Sequence, residues 1–349
     1  MVLPATIACL AAYGPFPGAY PGDAEVIGAV ETHEVRQGES LIEIARAHDL
    51  GFNAIAAANP ELDPYVPGTG ARVEVPTAFI VPRTAAPGTI VVNLSEMRLY
   101  YSFLGHGGVT RTLVTAPVGI GDEGASTPVG IYRVVEKEAK PAWHVPASIR
   151  REEPDLPEVV PAGPANPLGT HALRLSSRSI LIHGTNKPWG VGRRVSHGCI
   201  RMYPEDIVWL YRLVPIGTEV VVERAPVKVG LEGERVYVEV HADDDLKADY
   251  FALAQDLLLD RAALGRVDPM KLDAAIRERR GIPVDVTLEL PRPPLAGDPQ
   301  LPCDERPALP QGAGPPSGRA ERSTPLSAEQ VPGSPGPCRA DAASSQTPP

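Results

Sequence analysis

One cysteine and two histidines stand within seventeen residues of one another, at His183, His197 and Cys199. The stretch Ile182-His183-Gly184-Thr185 … Arg194-Val195-Ser196-His197-Gly198-Cys199-Ile200-Arg201 holds what acyl transfer to sulfur requires. Attack on an amide needs a thiolate, and an unperturbed cysteine is mostly protonated at neutral pH. An adjacent imidazole removes that proton and, once charged, favours the thiolate. Gly198 lets the backbone turn sharply and approach a substrate with no Cβ in the way. The amides of Gly198 and Cys199 would then face the oxyanion of a tetrahedral intermediate. Spacing leaves open which histidine is the base. His197 shares a face with Cys199 if the chain is extended, but a turn would part them. His183 ends the apolar run Ile180-Leu181-Ile182, a rigid platform for a ring. Metal ligation by the three residues is the competing chemistry, and their spacings match none of the common zinc frameworks. A cysteine taken without its neighbours is most often a small buried hydrophobe.

The elements that must position these groups are mainly strands. Thr89–Leu94 and Arg98–Phe103 alternate across Ser95-Glu96 and predict a hairpin. Leu113–Ala116, Ile131–Val135, Ala172–Leu175, Ile180–Ile182 and Glu219–Val222 predict further strands. A single helix interrupts them at Glu205–Val214, with Pro204 at its start and Ile207, Leu210, Tyr211 and Val214 on one face. Many short strands with one helix give a mainly β, β-sandwich-like domain over residues 88–224. Prolines crowd residues 140–168 around Trp143, His144 and Ile149, which suggests a lid over a cleft. Trp189, between the two halves of the motif, is the better aromatic candidate for the site; His171 reads as structural.

Flanking segments have their own patterns. Residues 1–30 are apolar and then Pro/Gly-rich, and read as a leader or partial signal segment. No Lys or Arg precedes Arg36, so the basic start of a signal peptide is missing. Around Cys9 there is a faint likeness to a lipoprotein cleavage box. Residues 31–77 begin with a short strand at His33–Val35. Ser40 and Glu43 form a capping box before Leu41, Ile44 and Ala45 at helical spacing. A second helix at Asn53–Ala58 stops at Asn59-Pro60, and Val73 and Val75 alternate as a closing strand. In 225–290, Arg235–His241 predicts a strand, and Ala248–Ala263 and Met270–Arg279 predict short helices. Residues 291–349 are Pro-rich, without an aromatic residue, and are expected to be disordered. Cys303 and Cys338 lie there and could pair in an oxidising compartment. A net charge of -10 and a pI near 5.4 argue against nucleic-acid binding.

Two resemblances sharpen this outline. Val35-Arg36-Gln37-Gly38-Glu39-Ser40-Leu41, Ile44-Ala45, Ala58-Asn59-Pro60 and Pro67-Gly68 resemble a βααβ LysM module, which implies binding to glycans such as peptidoglycan. His183-Gly184 followed by Ser196-His197-Gly198-Cys199 resembles the signature of the YkuD-type L,D-transpeptidases. That likeness extends from about Ile90 to Val222 and includes Thr127-Pro128-Val129-Gly130. Together the two modules look like the periplasmic L,D-transpeptidases of Gram-negative bacteria. The resemblance implies Cys199 as nucleophile and His183 as base, its ring oriented by the carbonyl of Gly184. It leaves Ser196, His197, Trp189 and Arg201 as substrate-binding candidates. Arg201 stands where many relatives have Asn, as an anchor for a substrate carboxylate or as an internal ion-pair partner.

The implied reaction cleaves the diaminopimelate–D-alanine bond of a tetrapeptide stem through a thioester and needs no metal or organic cofactor. A second diaminopimelate, a lysine of an outer-membrane lipoprotein, or water would resolve the thioester. The other readings of the same residues are a silent peptidoglycan-binding or anchoring protein and a hydrolase of the same fold.

Overall fold

The computed structural model describes residues 19–105, 110–177 and 180–289. The signal-like start with Cys9, and the tail with Cys303 and Cys338, lie outside the described residues. The first elements are strands β1 (Ala19–Pro21) and β2 (Val26–Glu34), helices α1 (Leu41–Ala47) and α2 (Phe52–Ala58), and strand β3 (Arg72–Ile80). β2 and β3 pair antiparallel from Val26↔Ile80 to Glu34↔Arg72. The expected capping box is present: Ser40 accepts from the Glu43 amide while the Glu43 carboxylate accepts from the Ser40 amide.

The leader expected over residues 1–30 gives way to strands from Ala19 onward. β1 pairs with Arg111–Pro117, and β2 starts at Val26 instead of His33. This was hidden because β2 is largely exposed, so it carries no apolar alternation. Gly28 interrupts it at φ +73°, where an added Cβ would strike the Thr77 carbonyl.

The middle of the chain runs β4 (Thr89–Asn93), β5 (Arg98–Leu104), β6 (Arg111–Pro117), β7 (Ile120–Gly121), β8 (Gly130–Ala139), β9 (Trp143–His144), α3 (Ala147–Glu152), β10 (Val159–Val160) and β11 (His171–Leu175). It continues through β12 (Leu181–His183), β13 (Arg194–Ser196), β14 (Ile200–Arg201), α4 (Pro204–Leu213) and β15 (Glu219–Glu223). The fold is mainly β, as the strand pattern predicts. A curled nine-stranded sheet has the order β1-β6-β5-β4-β15-β8-β11-β12-β14. Two of its pairings are parallel, β4 with β15 and β12 with β14.

Both faces of this sheet are covered, which is why β4 is buried at every residue. Ile90 and Val92 join Ile182, Ile200, Ile207 and Leu210 in one core beneath α4. Val91, Tyr100 and Leu113 face the other way and complete the core of the β2–α1–α2–β3 unit with Leu41, Ile44, Ile55 and Val73. The N-terminal unit is therefore built onto the sheet and shares its apolar interior.

The last elements are β16 (Val227–Glu232), β17 (Arg235–Val240), α5 (Tyr250–Asp260), α6 (Pro269–Glu278) and β18 (Val284–Asp285), around a third core. A buried charged cluster welds the three parts together. Lys228 Nζ donates to Glu96 at 2.7 Å and to the Ile80 carbonyl at 2.8 Å, and it lies 2.8 Å from Glu239. Tyr100 donates to Glu96, and His241 lies 2.6 Å from Glu239. Burial works against the Glu239 carboxylate, but Lys228 and His241 outweigh it and hold its pKa below the usual range.

Candidate active site

Strand register creates the site. In the antiparallel pair of β11 and β12, Ala172 lies opposite His183, Leu173 opposite Ile182 and Arg174 opposite Leu181. In the parallel pair of β12 and β14, Ile182 matches Ile200 and His183 matches Arg201. Leu173, Ile182 and Ile200 point into the core, and all three are fully buried. Alternation then turns Arg174, Leu181, His183 and Arg201 to the opposite face. Cys199 precedes β14 by one residue, so it falls beside Leu181, and the Leu181 backbone hydrogen-bonds its thiol. Cys199 and His183 thus project from adjacent strands on one face.

His183 is held in a single tautomer. Its Nδ1 lies 2.6 Å from the carbonyl of Gly184, which can only accept, so Nδ1 carries the proton and Nε2 has the lone pair. Burial, with the Arg201 charge second, drives its pKa down to about 4 against the pull of the Gly184 and Leu168 backbone. Burial likewise pushes the Cys199 thiol up, opposed by Leu181, Arg201 and Arg174. Burial thus works against the charged form of both groups, the imidazolium of His183 and the thiolate of Cys199.

The loop carrying the motif is braced from both sides. Gly198 sits at φ +96°, a conformation that favours glycine. Ser196 is buried, and its hydroxyl donates to the Cys199 carbonyl at 2.6 Å, so this side chain is engaged inside the loop. The Thr127 hydroxyl accepts from the Gly121 amide, fixing β7, which pairs with β13. On the N-terminal side, the amides of Phe52 and Asn53 donate to the carbonyls of Val191 and Gly192. Arg193 stacks on the Phe52 ring, 3.8 Å from its centroid. On the C-terminal side, Arg194 pairs with Asp245 at 2.6 Å, and Asp245 is held in turn by Arg224. Sequence reading missed this bracing, because no local pattern joins Phe52 or Asp245 to a loop near residue 192.

Other candidates take distinct places. Trp189 is 62 % exposed on the turn before the motif. His197 is half exposed and lies 3.4 Å from Glu152 of α3. The proline-rich stretch 140–168 is a small folded flap made of the β9–β10 pair and α3. Fully buried Asn166 ties it down by donating to the carbonyls of Pro141, Val160 and Pro161. A cavity of about 480 Å³ lies behind the base of the flap, lined by Lys140, Asn166, Thr185 and Asn186 among others, but by neither Cys199 nor His183. The carboxylate and imidazole groups of Glu96, Glu239 and His241 cluster as metal ligands would, but Lys228 already supplies the cation there.

A LysM domain profile matches residues 33–76, and an L,D-transpeptidase catalytic domain (YkuD) profile matches residues 87–222. The chain is 38 % identical over 282 residues to the probable L,D-transpeptidase YcfS of Escherichia coli K12, covering 76 % of this chain and 86 % of that protein. This chain belongs to the L,D-transpeptidase family. The probable L,D-transpeptidase YbiS of the same strain is 40 % identical over 255 residues, covering 69 % and 81 % of the two chains. An L,D-transpeptidase crystal structure from Mycobacterium tuberculosis aligns over 45 % of this chain and 64 % of its own. The identity is 24 % and the TM-score 0.29. Among the described residues of this L,D-transpeptidase family member, no helix is long and apolar enough to cross a membrane.

Proposed function

We propose that Cys199 is the nucleophile and His183 the base of a peptidoglycan L,D-transpeptidase acting in the periplasm. The observation that carries this reading is the register of β12 and β14, with Cys199 and His183 on one face and the His183 Nδ1 bound to a carbonyl. As the Cys199 sulfur attacks the carbonyl between the L-centre of diaminopimelate and D-alanine, its proton passes to Nε2 of His183. The amides of Gly198 and Cys199 receive the oxyanion. On collapse, His183 returns the proton to the leaving nitrogen, D-alanine departs and a thioester remains. An acceptor amine then attacks the thioester and restores the thiol. That amine belongs to a second diaminopimelate for a 3→3 cross-link, or to a lysine of an outer-membrane lipoprotein. No metal or organic cofactor enters these steps.

Ser196 supports the site by fixing the Cys199 carbonyl. His197, Trp189 and Arg201 line the approach to it. The LysM unit holds the glycan strand while the stem peptide enters.

The test is release of D-alanine from a disaccharide-tetrapeptide, followed by mass spectrometry. Wild type is expected to release it and to form dimers or amine adducts, while Cys199→Ala releases none and still binds glycan. Release by the alanine variant at the wild-type rate would refute the nucleophile. Tripeptide as the sole product would make the enzyme a hydrolase. No release by wild type would leave a glycan-binding protein.

A further inference from the structure

We infer that Arg201 is the receptor for the terminal carboxylate of the donor peptide, so that the enzyme selects stems in which the residue after the scissile bond ends in a free carboxylate. This rests on the proposed roles of Cys199 and His183 and extends them to the leaving group.

The two readings of Arg201 that its sequence position allows are separable in the structure. An internal ion pair would show a carboxylate beside the guanidinium. Among the described residues none accepts from it. Its Nε is buried without a hydrogen-bond partner, and among the described residues the one group that would support its charge against burial is Cys199, and only once the thiol is ionised. Arg174, on the same face, makes the contrast, since its Nε donates to Glu136 at 2.9 Å. A mostly buried cation without a counterion is costly to fold. That cost is offset when a ligand brings the anion, and a guanidinium suits a carboxylate because it can donate two parallel hydrogen bonds.

Geometry selects which carboxylate. His183 must return its proton to the departing nitrogen, so D-alanine leaves from the His183 end of the site. Arg201 is the register partner of His183 on β14. The carboxylate of D-alanine is separated from that nitrogen by a single carbon, whereas the distal carboxylate of diaminopimelate stays with the acyl group on sulfur. The guanidinium also reaches under the turn that carries Trp189, where a Cβ on Gly190 would lie 3.9 Å from a terminal nitrogen of Arg201. A carboxylate docked there would also offset the positive charge that helps to weaken the His183 base. Docking the correct donor would thereby strengthen the base that acts on it.

The experiment compares two synthetic donors, the tetrapeptide acid and its C-terminal amide, with the full chain as wild type, Arg201→Gln and Arg201→Lys. Release of D-alanine or D-alaninamide is followed by mass spectrometry. Wild type is expected to favour the acid in kcat/KM by on the order of 30- to 100-fold, the scale of a charge-assisted contact. Arg201→Gln should bring the acid down to the level of the amide, a ratio near one, and Arg201→Lys should restore part of the preference. Equal use of both donors by wild type overturns the inference without needing any variant to fold. So does an Arg201→Gln enzyme that keeps the wild-type ratio. Failure of wild type to release either product would be a different failure, that of the proposed donor reaction, and this inference would fall with it.

Discussion

Replacing His183 by asparagine should flatten the acid side of the stability profile by an amount set by the burial of the ring. In the unfolded chain a histidine titrates near 6.5, whereas in the folded protein His183 is driven down to about 4. Between these values the unfolded chain binds a proton that the folded site refuses. The contribution of this residue is therefore complete above about pH 6.5 and is lost as the pH falls toward 4. At about 1.4 kcal/mol per pH unit the whole loss is about 3 kcal/mol. The wild-type curve alone cannot isolate it, because Asp49, pushed up to about 6 by burial, has the opposite sign. Its folded carboxyl holds a proton that the unfolded chain has already released, which favours folding as the pH falls below 6.

The difference between wild type and His183→Asn cancels that term, and the asparagine amide still offers an N–H to the Gly184 carbonyl. Urea unfolding of both proteins at pH 7 and pH 4.5 is the assay. Wild type should lose about 2–3 kcal/mol more than the variant over that interval. Curves that stay parallel would refute the neutral buried imidazole. So would an acid limb of wild-type kcat/KM near 6.5, where the low pKa of the free enzyme places it near 4.

Removing the cation of the buried cluster by Lys228→Met should cost about 3–5 kcal/mol in urea unfolding, because Glu96 and Glu239 are left buried without it. A change under about 1 kcal/mol would mean the cluster does not weld the three parts. Gly192→Ala tests the brace on the loop that carries Cys199. Gly192 has φ +74°, and a Cβ there would lie 2.2 Å from the Phe52 nitrogen. The left-handed backbone costs about 1–2 kcal/mol before the clash is counted, and D-alanine release should fall with stability. Unchanged stability would show that the LysM unit does not pack against this loop.

Much of the site could be read along the chain because its chemistry is local. Ser196-His197-Gly198-Cys199 is a short link from the end of β13 to β14, the positive φ there favours Gly198, and the apolar run before His183 ends in a core strand. The predicted hairpin at Thr89–Phe103 and the helix after Pro204 form within a residue or two of their expected ends, since each buries a regular apolar pattern. What could not be read depends on partners far away in sequence. Exposed β2 left no periodic trace, and the flap over residues 140–168 is organised by Asn166 reaching carbonyls up to twenty-five positions away.

The residue types at His183, His197 and Cys199 made sulfur-based acyl transfer a chemistry the sequence could offer, and left open which histidine would serve it. Tertiary structure alone decided that the His183 Nδ1 meets the Gly184 carbonyl, that burial works against the charged forms of His183 and Cys199, and that among the described residues no carboxylate pairs with Arg201. It also decided that the loop bearing the cysteine is clamped by Phe52 and Asn53 on one side and by Asp245 on the other. The physical reason is that burial, register and charge pairing are properties of neighbours in space, and a chain specifies its neighbours only once it has folded.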